Sequence, residues 1–105
     1  MTLKNTVFLG RDNEVEIIFS GVDLTTFTSG ITLDIGGESY STISNPSLLY
    51  VTGTDSLTLK IGDTTALDVG RYTPEIVGYN PSNYDDGFLL TCKELKAINI
   101  YVKQC

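Results

Sequence analysis

The sequence predicts an all-β protein, an antiparallel sandwich of about seven to eight short strands. Three observations carry that prediction. Short runs of alternating apolar and polar side chains recur along the chain, and clusters of Gly, Asn, Asp, Ser and Pro punctuate them at regular spacing, with no sustained helical period. The stretch Gly70-Arg71-Tyr72-Thr73-Pro74 reads as a late strand entered through a glycine turn, with Tyr72 just inside its start. A buried tyrosine there, its hydroxyl bonded back to the preceding connection, is a device of immunoglobulin-like sandwiches, so the expected fold is immunoglobulin-like.

The first expected strand covers residues 5–9, and Gly10-Arg11-Asp12-Asn13 turns the chain. Residues 14–20 alternate, with Val15, Ile17 and Phe19 inward. The Thr- and Gly-rich segment 21–30 is a connection between sheets; Leu24 and Phe27 act as plugs beneath it, beside a short helical turn. Residues 31–35 and 38–43 form a hairpin about Gly36-Gly37, which supplies the positive φ angles of a two-residue turn. Strands at 47–51 and 56–61 follow, the second with Leu57, Leu59 and Ile61 inward. In the strand that starts at Gly70, Tyr72, Pro74 and Ile76 share a face. Pro74 cannot donate to a ladder, so the strand is an edge there or is locally bulged. The stretch Asn80-Pro81-Ser82-Asn83-Tyr84-Asp85-Asp86-Gly87 reads as a polar loop, residues 88–92 as a strand, and residues 97–102 as a terminal strand with Ile98, Ile100 and Val102 inward.

A chain of 105 residues is one domain's worth of core, so a single domain over residues 1–105 is expected. No run approaches the ~18 consecutive apolar residues of a membrane helix. Residues 1–5 lack the basic-then-apolar pattern of a secretory signal, so neither export nor membrane anchoring is expected. Thirteen acidic residues against seven basic ones give a net charge of −6, which argues against binding nucleic-acid phosphates. The same surplus favours solubility and complements a basic partner.

The chain has no histidine, which removes imidazole ligation of metals and the usual base of serine and cysteine hydrolases. The two cysteines, Cys92 and Cys105, read as a small core residue and a terminal thiol. Asn80, Asn83, Asp85 and Asp86 offer oxygens to calcium, but their spacing matches no EF-hand loop and reads as turn chemistry. Tyr40, Tyr50, Tyr79, Tyr84 and Tyr101 would make a sugar platform only if they shared a surface. No enzyme constellation and no cofactor site is expected.

Several segments carry a resemblance to a known family: Val22-Asp23-Leu24-Thr25, Ile31-Thr32-Leu33-Asp34-Ile35-Gly36-Gly37, Leu57-Thr58-Leu59-Lys60-Ile61-Gly62, Gly70-Arg71-Tyr72-Thr73, Tyr79-Asn80-Pro81 and Asp86-Gly87-Phe88-Leu89-Leu90-Thr91. Together, across residues 12–102, they resemble the small immunoglobulin-like domains of tailed-phage virion proteins. The resemblance implies a non-enzymatic virion protein, a capsid cement or decoration subunit that binds the major capsid protein and self-associates on the particle. The alternatives are a tail or baseplate component and a carbohydrate-binding module. Partner contacts are expected at Asn80, Asn83, Tyr84, Asp85 and Asp86, and at Leu3 and Lys4 within an N-terminal arm of residues 1–5; residues 103–105 would form a second arm. Gly36, Gly37, Gly70, Tyr72 and Pro74 are expected to be structural.

Overall fold

The computed structural model describes residues 5–92, 94–95 and 98–104. Their strands are β1 (Thr6–Phe8), β2 (Val15–Ile18), β3 (Ile31–Ile35), β4 (Glu38–Ser41), β5 (Leu49–Thr52), β6 (Ser56–Leu59), β7 (Gly70–Tyr72), β8 (Glu75–Asn80), β9 (Tyr84–Thr91) and β10 (Ile100–Lys103). One sheet has the order β2-β6-β5, a second β4-β3-β8-β9, and a third β1-β10-β7. The last two are halves of one layer. Tyr72, Pro74, Ile76 and Gly78 keep one inward parity straight through the gap between β7 and β8. The result is a two-layered β-sandwich, and every described pairing is antiparallel except β1 beside β10.

Alternation becomes burial as the pattern requires. Val15, Ile17, Leu49, Leu57 and Leu59 of one sheet join Ile31, Leu33, Ile35, Ile76, Ile100 and Val102 of the other layer in a single core cluster. Each fully buried Leu or Ile contributes about 1.5–3 kcal/mol from apolar surface removed from water. Leu24, in a 3-10 turn at Leu24–Thr26, and Phe27 plug the crossing connection, and the Asp23 carboxylate caps the turn by accepting from the Thr25 N–H at 3.0 Å.

Tyr72, the last residue of β7, is half-buried where a buried side chain was expected, but it makes the expected bond back to the preceding connection. Its hydroxyl donates to the Asp68 carbonyl at 2.7 Å, tying the 62–69 connection to the strand it feeds. Gly36 and Gly37 take φ angles of 56° and 88° at the β3–β4 turn. A Cβ on Gly36 would lie 2.8 Å from the Tyr72 ring, so turn and corner pack together.

Four expectations need correction. Ten strands are described where seven to eight were expected, chiefly because Thr73-Pro74 divides one run in two. Pro74 is not within a strand: it is buried in the two-residue gap between β7, an outermost strand of its sheet, and β8, which has β3 on one side and β9 on the other. Its irregularity is real, because pairing passes from β10 to β9 across the gap, where the Thr73 hydroxyl bonds Asn99 Oδ1 at 3.2 Å. Asn5 and Lys103, assigned to arms, belong to the ladder: the Asn5 carbonyl accepts from the Tyr101 N–H and the Lys103 carbonyl from the Leu9 N–H. Cys92 is half-buried and not a core residue. Leu3, Lys4 and Cys105 lie outside the described residues.

One buried group stands out. Thr91, at the end of β9, is 1% exposed, and its hydroxyl has no hydrogen-bond partner among the described residues. A buried hydroxyl left unpaired costs about 1–3 kcal/mol, which the isosteric Thr91→Val removes. The variant is expected to gain about 1 kcal/mol in denaturant unfolding; unchanged or lower stability would mean that the hydroxyl is satisfied in solution.

Candidate functional site

The candidate site is the β8–β9 hairpin. Residues 80–87 were expected to be a loop, and the structure corrects this: only residues 81–83 turn, Asn80 closes β8, and Tyr84 to Gly87 belong to β9. The density of Asn, Asp, Pro and Gly imitates a loop, yet two features keep the chain in the ladder. Tyr84 pairs with Asn80, and Gly87, at φ 97°, admits the register shift between that pair and Gly78↔Phe88. A bulge of this kind re-aims side chains at a sheet margin.

The bulge assembles an aromatic cluster. Tyr84 and Phe88 sit edge-to-face with ring centroids 5.1 Å apart, and Phe27 lies 5.9 Å from Tyr84 and 5.8 Å from Phe88. Phe27 is 7% exposed and anchors the group, while Tyr84 and Phe88 keep 38% and 39% of their surface in solvent. Gly78 lets the anchor in, since a Cβ there would stand 2.5 Å from Phe27 Cγ. Bonds from the Ser29 N–H to the Tyr79 carbonyl and from the Tyr79 N–H to the Gly30 carbonyl hold the plug against β8. Leu89, paired with Val77 and 47% exposed, adds an apolar group on the neighbouring parity.

Of the expected contact residues, Asn83, Tyr84, Asp85 and Asp86 are brought together, all exposed, at this tip. Asn80 is not available. Its amide donates to the Thr26 carbonyl at 2.6 Å and its side-chain oxygen accepts from the Ser82 N–H at 2.9 Å, so it clamps the hairpin to the 3-10 turn. Phe27, Phe88 and Leu89 were not anticipated. The signal for the last two was present: Phe88-Leu89-Leu90 is an apolar run on a strand, and alternation cannot turn all of it inward. From Glu75 to Thr91 the only charged residues are Glu75, Asp85 and Asp86, so the hairpin is acidic and aromatic.

Other clusters are consumed by the fold. Glu38 Oε1 accepts from the Tyr40 and Thr65 hydroxyls, each at 2.6 Å, and Oε2 accepts from the Ala66 N–H at 2.9 Å, pinning β4 to the 62–69 connection. Tyr50 donates to Glu14 at 2.6 Å. With Tyr40 only 8% exposed and both hydroxyls engaged, the five tyrosines make no common platform. Among the described residues, no group of three or more His, Cys, Asp or Glu is placed to hold a metal, and no helix is long and apolar enough to cross a membrane.

The Glu38 network sets a pH dependence. Burial raises the Glu38 pKa, but the bonds from Thr65, Tyr40 and the Ala66 N–H outweigh it and hold the carboxyl below its usual 4.5. Burial, then the bond to Glu38, pushes Tyr40 up to about 12 from 10. A depressed carboxylate stabilises the fold above its unfolded pKa and loses that contribution as pH falls through the folded value. A raised phenol contributes below pH 10 and loses its contribution as pH rises through about 12. Phenolate absorbance is expected to show one of the six tyrosines ionising near pH 12, with Glu38→Gln moving that phase towards the ordinary value. A late phase unmoved by the substitution would contradict the assignment.

Comparison with family models, with curated proteins and with solved structures finds no match to this chain.

Proposed function

We propose that this chain is a non-enzymatic structural protein of a virion, a capsid cement or decoration subunit that binds the shell of major capsid protein. The reading rests on the resemblance of its strand and turn segments to tailed-phage immunoglobulin-like domains. The observation that carries the binding role is the exposed Tyr84–Phe88 pair, backed by buried Phe27 and flanked by Asp85 and Asp86. Rigid aromatic groups half in solvent are the residues that supply most binding energy when a partner covers them. An acidic rim adds preference for a basic partner surface and speeds encounter. The protein works by adding contact area at junctions between shell subunits, with no bond made or broken.

Labelled protein mixed with purified particles of the phage that encodes it, then imaged, tests this. Signal over the whole head is expected; signal confined to the tail would favour the tail or baseplate reading, and absence of signal would remove the virion assignment. Phe88→Ser is expected to weaken particle binding by at least about tenfold, at a temperature where both proteins stay folded, with a fall in thermal stability from its lost contacts with Tyr84 and Phe27. Equal occupancy would take the hairpin out of the interface.

A further inference from the structure

We infer that the outer edge of β2 is an acceptor for an extended segment of a partner protein in which Lys or Arg alternates with Val, Ile or Leu. This surface shares no residue with the β8–β9 hairpin and does not depend on the virion reading.

The direction of the backbone groups follows from the ladder. The Phe19 N–H donates to the Asp55 carbonyl at 2.8 Å, so Phe19, and with it Ile17 and Val15, address β6. Successive residues of an antiparallel strand turn their N–H and C=O to opposite sides, which sends those of Glu16 and Ile18 away from β6. The other side of β6 agrees: the Lys60 N–H donates to the Leu48 carbonyl at 2.7 Å, which assigns Thr58 and Ser56 to β5 and leaves Leu57 and Leu59 for β2. Among the described residues β2 pairs only with β6, so the outward groups of Glu16 and Ile18 have no described strand beside them.

The edge does not face open solvent. It borders a groove of about 290 Å³ that runs between β2 and the start of β10 in the other layer. Half-buried Ile18 and Ile98 give the groove apolar walls over a floor of buried Ile17 and Ile100, and Glu16 is the one carboxylate on its described lining, which carries no Lys or Arg. A strand laid along β2 would satisfy the outward backbone groups of Glu16 and Ile18. It would place alternate apolar side chains in the groove and set a cation against Glu16. Charge decides between occupants. A second copy brings another net −6 to the contact, whereas a basic segment is attracted by both Glu16 and the overall field.

The experiment uses the full chain and a blocked hexapeptide, acetyl-Lys-Val-Lys-Ile-Lys-Val-amide, with amide exchange read residue by residue by NMR. In the free protein the Glu16 and Ile18 amides are expected to exchange at least about tenfold faster than Ile17, and the peptide is expected to slow both by about tenfold or more. Glu16→Gln should weaken peptide binding several-fold. A Glu-for-Lys peptide and a peptide N-methylated at alternate residues should leave the two amides unprotected. Equal protection by either control would overturn the proposal, as would none by the basic peptide. Slow exchange at Glu16 and Ile18 in the free protein would also overturn it, meaning the chain itself covers the edge if independent of concentration, or a second copy if not.

Discussion

Gly62→Ala is expected to destabilise the protein by roughly 3 kcal/mol, at the upper end of the cost of overpacking a filled interior. Gly62 is buried, and a Cβ there would overlap the carbonyl oxygens of Phe8 and Arg11. The Phe8 oxygen cannot withdraw cheaply. The Phe8 carbonyl accepts from the Arg11 N–H at 3.1 Å, Gly62's own carbonyl accepts from the Gly10 N–H at 2.8 Å, and the next residue, Leu9, is bonded to Lys103 at the end of the β1–β10 ladder. Relief of the overlap therefore means loosening β1 from β10. The loss should appear as a fall in Tm on the order of 15 °C for a domain of this size. Gly37→Ala is the control. Its Cβ would meet nothing within 4 Å, so only its φ of 88° resists, at a cost of about 1 kcal/mol. Equal losses at the two positions would show that crowding at Gly62 is not the cause.

Gly78→Ala is expected to cost about 2 kcal/mol by the same mechanism, with a second consequence at the hairpin. The new methyl group would stand where the Phe27 ring lies. If Phe27 moves, Tyr84 and Phe88 lose the buried ring they lean on, and the particle binding proposed for this hairpin falls together with stability. Phe27→Leu in the Gly78→Ala background should recover part of the stability without restoring the aromatic cluster. A double-mutant cycle then reads the coupling between the two positions, expected at about 1 kcal/mol or more for residues in direct contact. Additive effects would mean that Phe27 does not occupy the space above Gly78.

The alternating faces of β2, β3 and β6 and the two-glycine turn were legible because each is a local property. Alternation of Val15, Ile17 and Phe19, or of Leu57, Leu59 and Ile61, has one burial solution, and Gly36-Gly37 has one favoured turn. Leu24 and Phe27 were legible as plugs for a related reason: isolated apolar residues in a polar connection have to be covered by something. Tyr72 was legible because its partner, the Asp68 carbonyl, lies four residues away.

What escaped the sequence depends on pairs far apart in the chain. Asn80 reads as a turn residue, and the Thr26 carbonyl that engages it is 54 positions away. Tyr84 reads as part of a polar loop because its neighbours are Asn, Asp and Gly, yet its ring is placed by Phe27 on another connection. Pro74 reads as an edge or a bulge, and only the sheet order shows it to lie where pairing passes from β10 to β9. The lack of a described strand on the outer side of β2 is invisible in any local pattern, because it is defined by the sheet order and not by the residues of β2. The sequence by itself determined the class of fold, the turns and most of the inward residues, since alternation and turn chemistry act within a few residues. The tertiary structure alone decided which apolar side chains stay in solvent and which strands neighbour one another, because both depend on where one layer covers the other.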